Sequence, residues 1–532
     1  MRFTIWSYPT RRPAVFAGIL LAAACSRDES PTAPEPAGPG APPAVSGNIR
    51  DVQLLMTSPG LRWFQSHTHP HRIASLARPL AQVVIDGLDV SITGPKDLTG
   101  GSSGMSNWPE EINASGQIAG TRSPTLGLQN PDAIRWSASG SATVLHKASP
   151  DGQAWAKGLN DAGVVVGADN EVEPGGGFIL HPMRWNPDGS FVELPSAPGG
   201  VWQQADAINN RGVIVGYAQR ADLSTRAIRW DAQGAHLLET RVCCYDAAAA
   251  INDSGTVVGY VSTPQVAPAK WSRSGALTML ALPPGDNFGF ATAINNRGQI
   301  VGGAGFVEGP NITHHAVIWA ADGTPSVLPF SESSEDDATS ATAINDHGVI
   351  AGMVEDPASP DGMLPVLWFK GRRIFVPPGP ESNTFLNDLT ADRILGSIHV
   401  GSDLHVARWS FTLRFQFSGF FAPVANPGPA PYNINQVKAG QPVPVRFSLG
   451  GNEGLRIFEA GSPASKKVAC APAGIAGATP IRMGAGGLSY DKATARYEFI
   501  WQTEQSWTGT CRQLSVTFVD GTTRKALFRF VP

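Results

Sequence analysis

The sequence predicts an all-β protein, a seven-bladed β-propeller followed by a small β-sandwich domain, and three observations lead there. First, the 532 residues include 59 Gly and 44 Pro with only 16% charged residues, a turn-rich composition with little material for long helices. Second, one hairpin motif recurs, as "AINNRGVIVGY" (207–217), "AINDSGTVVGY" (250–260), "AINNRGQIVGG" (293–303) and "AINDHGVIAGM" (343–353). Third, two independent markers count the same units. Gly120, Gly167, Gly216, Gly259, Gly302, Gly352 and Gly396 stand 43 to 50 residues apart, and each is followed by a tryptophan: Trp136, Trp185, Trp230, Trp271, Trp319, Trp368 and Trp409. A period in the forties suits a four-stranded propeller blade.

The N-terminus comes first in order. Arg2, Arg11 and Arg12 precede the apolar run 14–24, which is too short to span a bilayer and ends on small residues at Cys25. The segment resembles a bacterial lipoprotein signal. That resemblance implies that residues 1–25 are removed as a signal and that Cys25 carries lipid in the mature chain, with plain secretion as the alternative. Residues 26–48 are Pro/Ala-rich and read as an extended tether. Residues 49–103 form an N-terminal segment in which "VVIDGLDVSIT" (83–93) is the candidate to complete the last blade, with "FTLRFQF" (411–417) as competitor. His67, His69 and His71 have a metal-like spacing, but a Pro-interrupted surface loop accounts for them, and no metal or cofactor is expected.

The repeats fill residues 104–410. In the third unit the strands are expected at "ADAIN", "VIVGYAQ", "RAIRW" and "AHLLET". Asn209, Asn210 and Gly212 supply turn chemistry, the glycine taking the positive φ of a tight hairpin. Pairs such as Ala205/Ala207 and Ala248/Ala250 are read as small residues on one strand face, where strands crowd near a propeller axis. The tryptophans alternate with Arg135, Arg229, Lys270 or Arg408, which puts the two on opposite faces and casts each Trp as a wedge between blades. These hairpin units resemble the HAF repeats of bacterial extracellular proteins, a resemblance that implies an exported repeat array and no chemistry.

Residues 411–532 form a separate module with 13 Lys+Arg against 6 Asp+Glu over 412–532, so that the acidic excess lies entirely in the rest of the chain. The stretches 417–451 and 487–522 resemble the PxKF domain of secreted bacterial proteins, with Pro444, Val445, Arg446 and Phe447 at the signature and Arg in place of Lys. Alternation in "QLSVTFV" (513–519) and "ALFRF" (526–530) suggests a sandwich. Cys470 and Cys511 share this segment and are expected to pair in an oxidising compartment. Cys243 and Cys244 are neighbours whose bridging needs a strained turn, and a bridge or two thiols both remain open.

No zincin, Walker or C-x-x-C pattern is found, nor a nucleophile elbow G-x-S-x-G set after a strand, and the acidic run Glu332, Glu335, Asp336 and Asp337 reads as a solvated loop. One feature rises above packing. Trp202, Tyr245 and Phe288 lie seven residues ahead of the turn Asn, and Trp108, Trp155 and Phe290 five ahead. On converging connectors such aromatics stack on sugar rings or grip an extended polymer. Three readings follow: a non-enzymatic binding or scaffold propeller recognising a polysaccharide, a propeller glycosidase or polysaccharide lyase, and a structural envelope or adhesion protein. The first is favoured, on the bacterial cell surface, held to the membrane by lipid and without a nucleic-acid partner. Lipidation makes a direct prediction: Cys25→Ser moves the protein from the membrane to the soluble fraction, whereas unchanged fractionation rejects Cys25 as the anchor.

Overall fold

The computed structural model describes residues 83–85, 88–100, 104–124, 130–147, 152–172, 178–241, 245–262, 265–308, 311–329, 339–355, 363–380, 384–427, 433–455, 457–470 and 479–532. Cys25, the tether, the three histidines at 67–71, the Cys243/Cys244 pair and the acidic run at 332–337 lie outside the described residues. The chain divides into two compact units, 1–77 with 94–409, and 78–93 with 410–532. Both are built of β-strands, which take up 61% of the described residues, and no α-helix occurs among them.

In the first unit, six sheets of four antiparallel strands follow one another along the chain, each an up-and-down meander. Their first strands are Met105–Ile112, Ala154–Leu159, Gly200–Ile208, Ala247–Ile251, Phe288–Ile294 and Thr339–Ile344. The third sheet continues with Ile214–Arg220, Thr225–Asp231 and Gly234–Leu237, which overlap the four strands expected from its sequence. The seventh sheet starts with Thr384–Leu389, Arg393–Val400 and Asp403–Phe415, and its next strand, Leu88–Asp97, comes from the other end of the chain. Both stretches weighed for that position are therefore in the same sheet. The strand Leu88–Asp97 begins inside 83–93 and runs past it, and 411–415 extends the strand that it adjoins.

Every first strand carries a β-bulge at the same place, three residues before its turn: Glu110, Lys157, Asp206, Ala249, Thr292, Thr342 and Asn387. A bulge inserts one residue and shifts the side chains beyond it to the other face. The expectation that paired alanines share a face is corrected on this ground. Ala205 packs with Val164, Val166 and Trp230, whereas Ala207 packs with Val257, Val261 and Trp271. One alanine thus meets the preceding sheet and the other the following one. The crowding itself is real, because a Cβ on Gly158 would lie 2.9 Å from Ala207 Cα.

The bulge also explains the second glycine of each repeat. It turns a first-strand carbonyl onto the neighbouring strand, and a Cβ on Gly216 would stand 2.0 Å from Gln204 O. The first glycine has a different reason: Gly212 takes φ +78° in the turn, with open space around it. In the seventh unit the turn is one residue shorter, and Thr390 N bonds directly to Arg393 O at 2.9 Å, so no positive-φ residue is required.

Each tryptophan is a wedge against the sheet before it. Trp230 packs on Val164, Val166 and Leu194 of the second sheet and donates through Nε1 to Pro195 O at 2.8 Å. Trp185, Trp271, Trp319, Trp368 and Trp409 donate likewise to His146, Glu239, Ala281, Pro329 and Pro377 carbonyls at 2.6–2.9 Å. The arginine before the Trp reaches the opposite way, Arg135 Nη1 donating to Gly163 O of the next sheet at 3.2 Å. Last and first sheets meet by the same means: Arg408 Nη1 donates to Ala138 O at 2.9 Å, and Leu395 and Val406 pack with Ile112, Ile118 and Trp136.

The second unit holds a four-stranded sheet built on Gly419–Phe421, Val443–Ser448, Arg496–Gln502 and Arg482–Asp491, and a five-stranded sheet that includes Cys511–Thr517 and Thr523–Val531. Aromatic rings from the two sheets touch, as in Trp501 against Phe528 at 5.1 Å between centroids and Phe447 against Phe518 at 5.5 Å. Cys470 and Cys511 are joined by a disulfide across 41 residues. Arg446, at the PxKF-like signature, donates through Nε to Glu498 on the neighbouring strand.

Two substitutions separate the two glycine requirements. Gly216→Ala drives a Cβ into a carbonyl and is expected to cost about 4 kcal/mol or more, whereas Gly212→Ala costs about 1 kcal/mol for its positive φ. Urea unfolding of the two variants decides the order, and equal midpoints contradict the bulge explanation.

Candidate functional site

The site grows out of the first strands, because they lie side by side in sequence order and the strand Thr384–Leu389 packs back against Met105–Ile112. What aligns them is a set of buried asparagines. Asn113, Asn160, Asn209, Asn252, Asn295 and Asn345 are each less than a tenth exposed. Each Nδ2 donates to the backbone carbonyl of the equivalent residue one sheet on, at 2.8–3.2 Å, the last of them to Thr390 O. Each Oδ1 meanwhile accepts the backbone N–H four residues ahead at 2.9–3.0 Å, closing its own turn. The asparagines, expected as turn formers, are therefore joints between sheets as well.

The residue after each Asn makes a second, outer tier. Backbone amides of Ala114, Asp161, Asn210, Asp253 and Asn296 donate in turn to the Oδ1 of Asp161, Asn210, Asp253, Asn296 and Asp346, at 2.7–2.9 Å. Acid and amide alternate, and Asn210 Nδ2 donates to both Asp161 Oδ2 (3.0 Å) and Asp253 Oδ2 (3.3 Å). At the junction of seventh and first sheets, where Ala114 and Ala391 lack such side chains, Arg393 Nη1 donates to Ala114 O at 3.0 Å and Asp388 Oδ2 accepts from Ile112 N at 3.0 Å.

Ahead of the bulge, alternate residues of the first strands show one half-buried face. In Gly200–Ile208 that face is Trp202, Gln204 and Asp206; in Ala154–Leu159 it is Trp155 and Lys157. Trp108 and Tyr245 are half-buried too. Phe288 and Phe290 are not placed with them. They are 2% and 7% exposed, packed with Ala247, Tyr260 and Val266, and His314 stacks on both rings at 6.3 and 5.5 Å. Phe385 does belong to the half-buried set, and counting from the turn Asn missed it because Thr390 stands in that place. Counting back from the second glycine finds it, since Phe385 is 11 residues before Gly396 as Trp155 is 12 before Gly167.

The result is one-sided. Seventh, first, second and third sheets bring half-buried Phe385, Trp108, Trp155 and Trp202, and half-buried Tyr245, ahead of the fourth sheet's first strand, bridges to Thr225 of the third, while the fifth and sixth offer two buried phenylalanines and Ser340. Polar groups beside these rings are engaged in holding the strands. Lys157 Nζ lies 2.7 Å from Glu110 Oε1, Glu111 Oε2 accepts from Leu159 N at 3.2 Å, and Gln204 Nε2 donates to Asp206 Oδ1 at 2.6 Å. No cluster of metal-ligating side chains occurs among the described residues. The face suits stacking on a flat apolar surface with polar edges better than it suits acid–base chemistry.

Tyr260 packs with Ala247, Val266, Phe288 and Phe290 and is 5% exposed. Burial, and after it the charges of Asp206 and Asp246, push its phenol well above the ordinary range. No protein-family model matches the chain, and no curated protein matches it.

A phenol whose pKa is raised by folding keeps its proton longer in the native state. Its contribution to stability is complete below about pH 10, the unfolded value, and is lost as pH rises beyond it. Alkaline titration of tyrosinate absorbance is expected to show Tyr217 and Tyr260, both raised by burial, ionising only with unfolding, and Tyr260→Phe lowers the amplitude of that step by one tyrosine. Ordinary ionisation of Tyr260 near pH 10 in the folded protein contradicts the assignment.

Proposed function

We propose that the first unit is a seven-bladed β-propeller, the second a small β-sandwich, and the whole a non-enzymatic surface lipoprotein of the bacterial cell envelope that binds an extended polysaccharide. The propeller reading is supported by the sheets' order, by each first strand packing on the next, and by the hydrogen bonds of Arg393, Asp388 and Arg408 between the last sheet and the first. The sandwich reading is supported by aromatic contacts between the two sheets of the second unit. Anchoring rests on the lipoprotein-like signal that ends at Cys25, and among the described residues no helix is long and apolar enough to cross a membrane.

One observation carries the binding function: Phe385, Trp108, Trp155 and Trp202 occupy four consecutive sheets on one half-buried face, with half-buried Tyr245 bridged to Thr225 of the last of these sheets. Rings needed only for wedging between sheets would recur in every repeat, as the buried tryptophans of the third strands do. An arc confined to one side gives a track for a chain of sugars, each ring offering its apolar face to an indole. The polar neighbours already bond to one another, which leaves no carboxylate pair beside these rings among the described residues poised on a glycosidic bond and favours binding over cleavage.

Purified protein is to be tested for retention on immobilised neutral polysaccharides and for release of new chain ends. Retention without new ends is expected, persisting in 0.5 M salt because stacking is not screened as charge contacts are. Trp155→Ala and Trp202→Ala should each weaken it by roughly tenfold. Undiminished retention in both variants, or new reducing ends, overturns the reading.

A further inference from the structure

We propose that the second unit carries an oxyanion-binding cleft built on Arg414 and Arg524. The proposal does not depend on the aromatic face of the first unit. The cleft has a volume of about 280 Å³ and is lined by the two arginines with Asp89, Val90, Ser91, Thr412 and Phe415.

The strand pattern puts these groups there. Along Asp403–Phe415, alternation buries Phe411, Leu413 and Phe415 and leaves Thr412 and Arg414 on the exposed side. Arg524 comes from the strand Thr523–Val531, and its guanidinium carbon sits 5.1 Å from the centre of the Phe417 ring. Phe417 is itself fixed, with Phe420 at 5.1 Å and Phe518 at 6.0 Å. A guanidinium stacked on a held ring has little freedom left, so its donor edge is aimed in advance.

Those donors have no acceptor among the described residues. Arg524 Nε is buried and has no hydrogen-bond partner among the described residues, an arrangement that costs stability unless something accepts the bond. Neither Arg414 nor Arg524 is ion-paired among the described residues. The two nearby carboxylates are engaged elsewhere: Asp89 Oδ1 accepts from Gln416 Nε2 at 3.4 Å, and Asp520 accepts from Phe415 N at 2.6 Å and Thr522 N at 2.9 Å. Two arginines and one aspartate line the cleft, with the hydroxyls of Ser91 and Thr412 as further donors. That set matches a carboxylate, sulfate or phosphate, which takes paired N–H donors from an arginine fork. The oxyanion is borne by an acidic polysaccharide or is a free inorganic ion.

Calorimetric titration of the full chain with sodium sulfate, sodium phosphate and a uronic-acid oligosaccharide tests this at low ionic strength. Saturable binding of at least one probe is expected. Arg414→Gln and Arg524→Gln should each weaken it about tenfold or more, the loss expected for a charged hydrogen bond. Arg524→Lys keeps the charge without the fork and should recover only part of it. Tighter binding of the oligosaccharide than of sulfate marks a polymer-borne group, and the reverse order marks a free ion. Arg414 is exposed, so Arg414→Gln stays decisive even if the Arg524 variants fail to fold. Failure of all three probes to bind, or parental affinity in Arg414→Gln, overturns the proposal.

Discussion

The architecture depends on a buried carboxamide used twice. An asparagine in a turn ordinarily bonds its own backbone, but here Asn160, Asn209 and their equivalents also hand Nδ2 to the next sheet's carbonyl. Donor and acceptor on one small group make this possible, and burial makes it necessary, since an unpaired amide away from water is costly. Aspartate in the same place would lose the donor and bury a charge, and serine is too short to reach across. The bulge, the second glycine and the small residues of the first strands all follow from bringing these strands close enough for that bond.

Around the buried tier, Asp161, Asn210, Asp253, Asn296 and Asp346 solve a different problem. These side chains are neighbours around one rim, and five carboxylates there would repel. Alternating acid with amide gives each carboxylate an N–H donor instead, as Asn296 Nδ2 does for Asp253 and Asp346 at 3.2 and 3.1 Å. The alternation cannot continue through the seventh unit, where Ala391 meets Ala114. There Arg393, reaching Ala114 O, performs the same joining role with a longer arm.

Much of this was legible in the sequence, and the rest was not for identifiable reasons. Period-2 alternation located the strands, and glycine with tryptophan counted the units, because each marker answers a local steric demand that recurs. The Asn/Asp alternation was in plain view at 161, 210, 253, 296 and 346, yet nothing local says that these side chains meet residues more than 40 positions away. Bulges likewise leave no mark on a hydrophobic pattern, so Ala205 and Ala207 read as one face when they serve two. The aromatics divided by context: Phe288 and Phe290 share offsets with Trp202 and Trp155, but His314 from a neighbouring strand covers them. The strand Leu88–Asp97 overlaps the stretch 83–93 that the sequence offers as a closing strand, while its competitor, 411–417, in part extends the strand beside it.

If the inter-sheet relay runs through all seven sheets and back to the start, the junction between last and first should be as firm as the joints between its interior neighbours. Amide hydrogen exchange reads this directly at two equivalent positions. Leu159 N is held by Glu111 Oε2 within the run of sheets, and Ile112 N is held by Asp388 Oδ2 at the junction. Similar slow exchange at both is the predicted result, since both would open only with the whole array. Fast exchange at Ile112 beside a protected Leu159 would mean frayed ends and an open stack, and would contradict a closed ring.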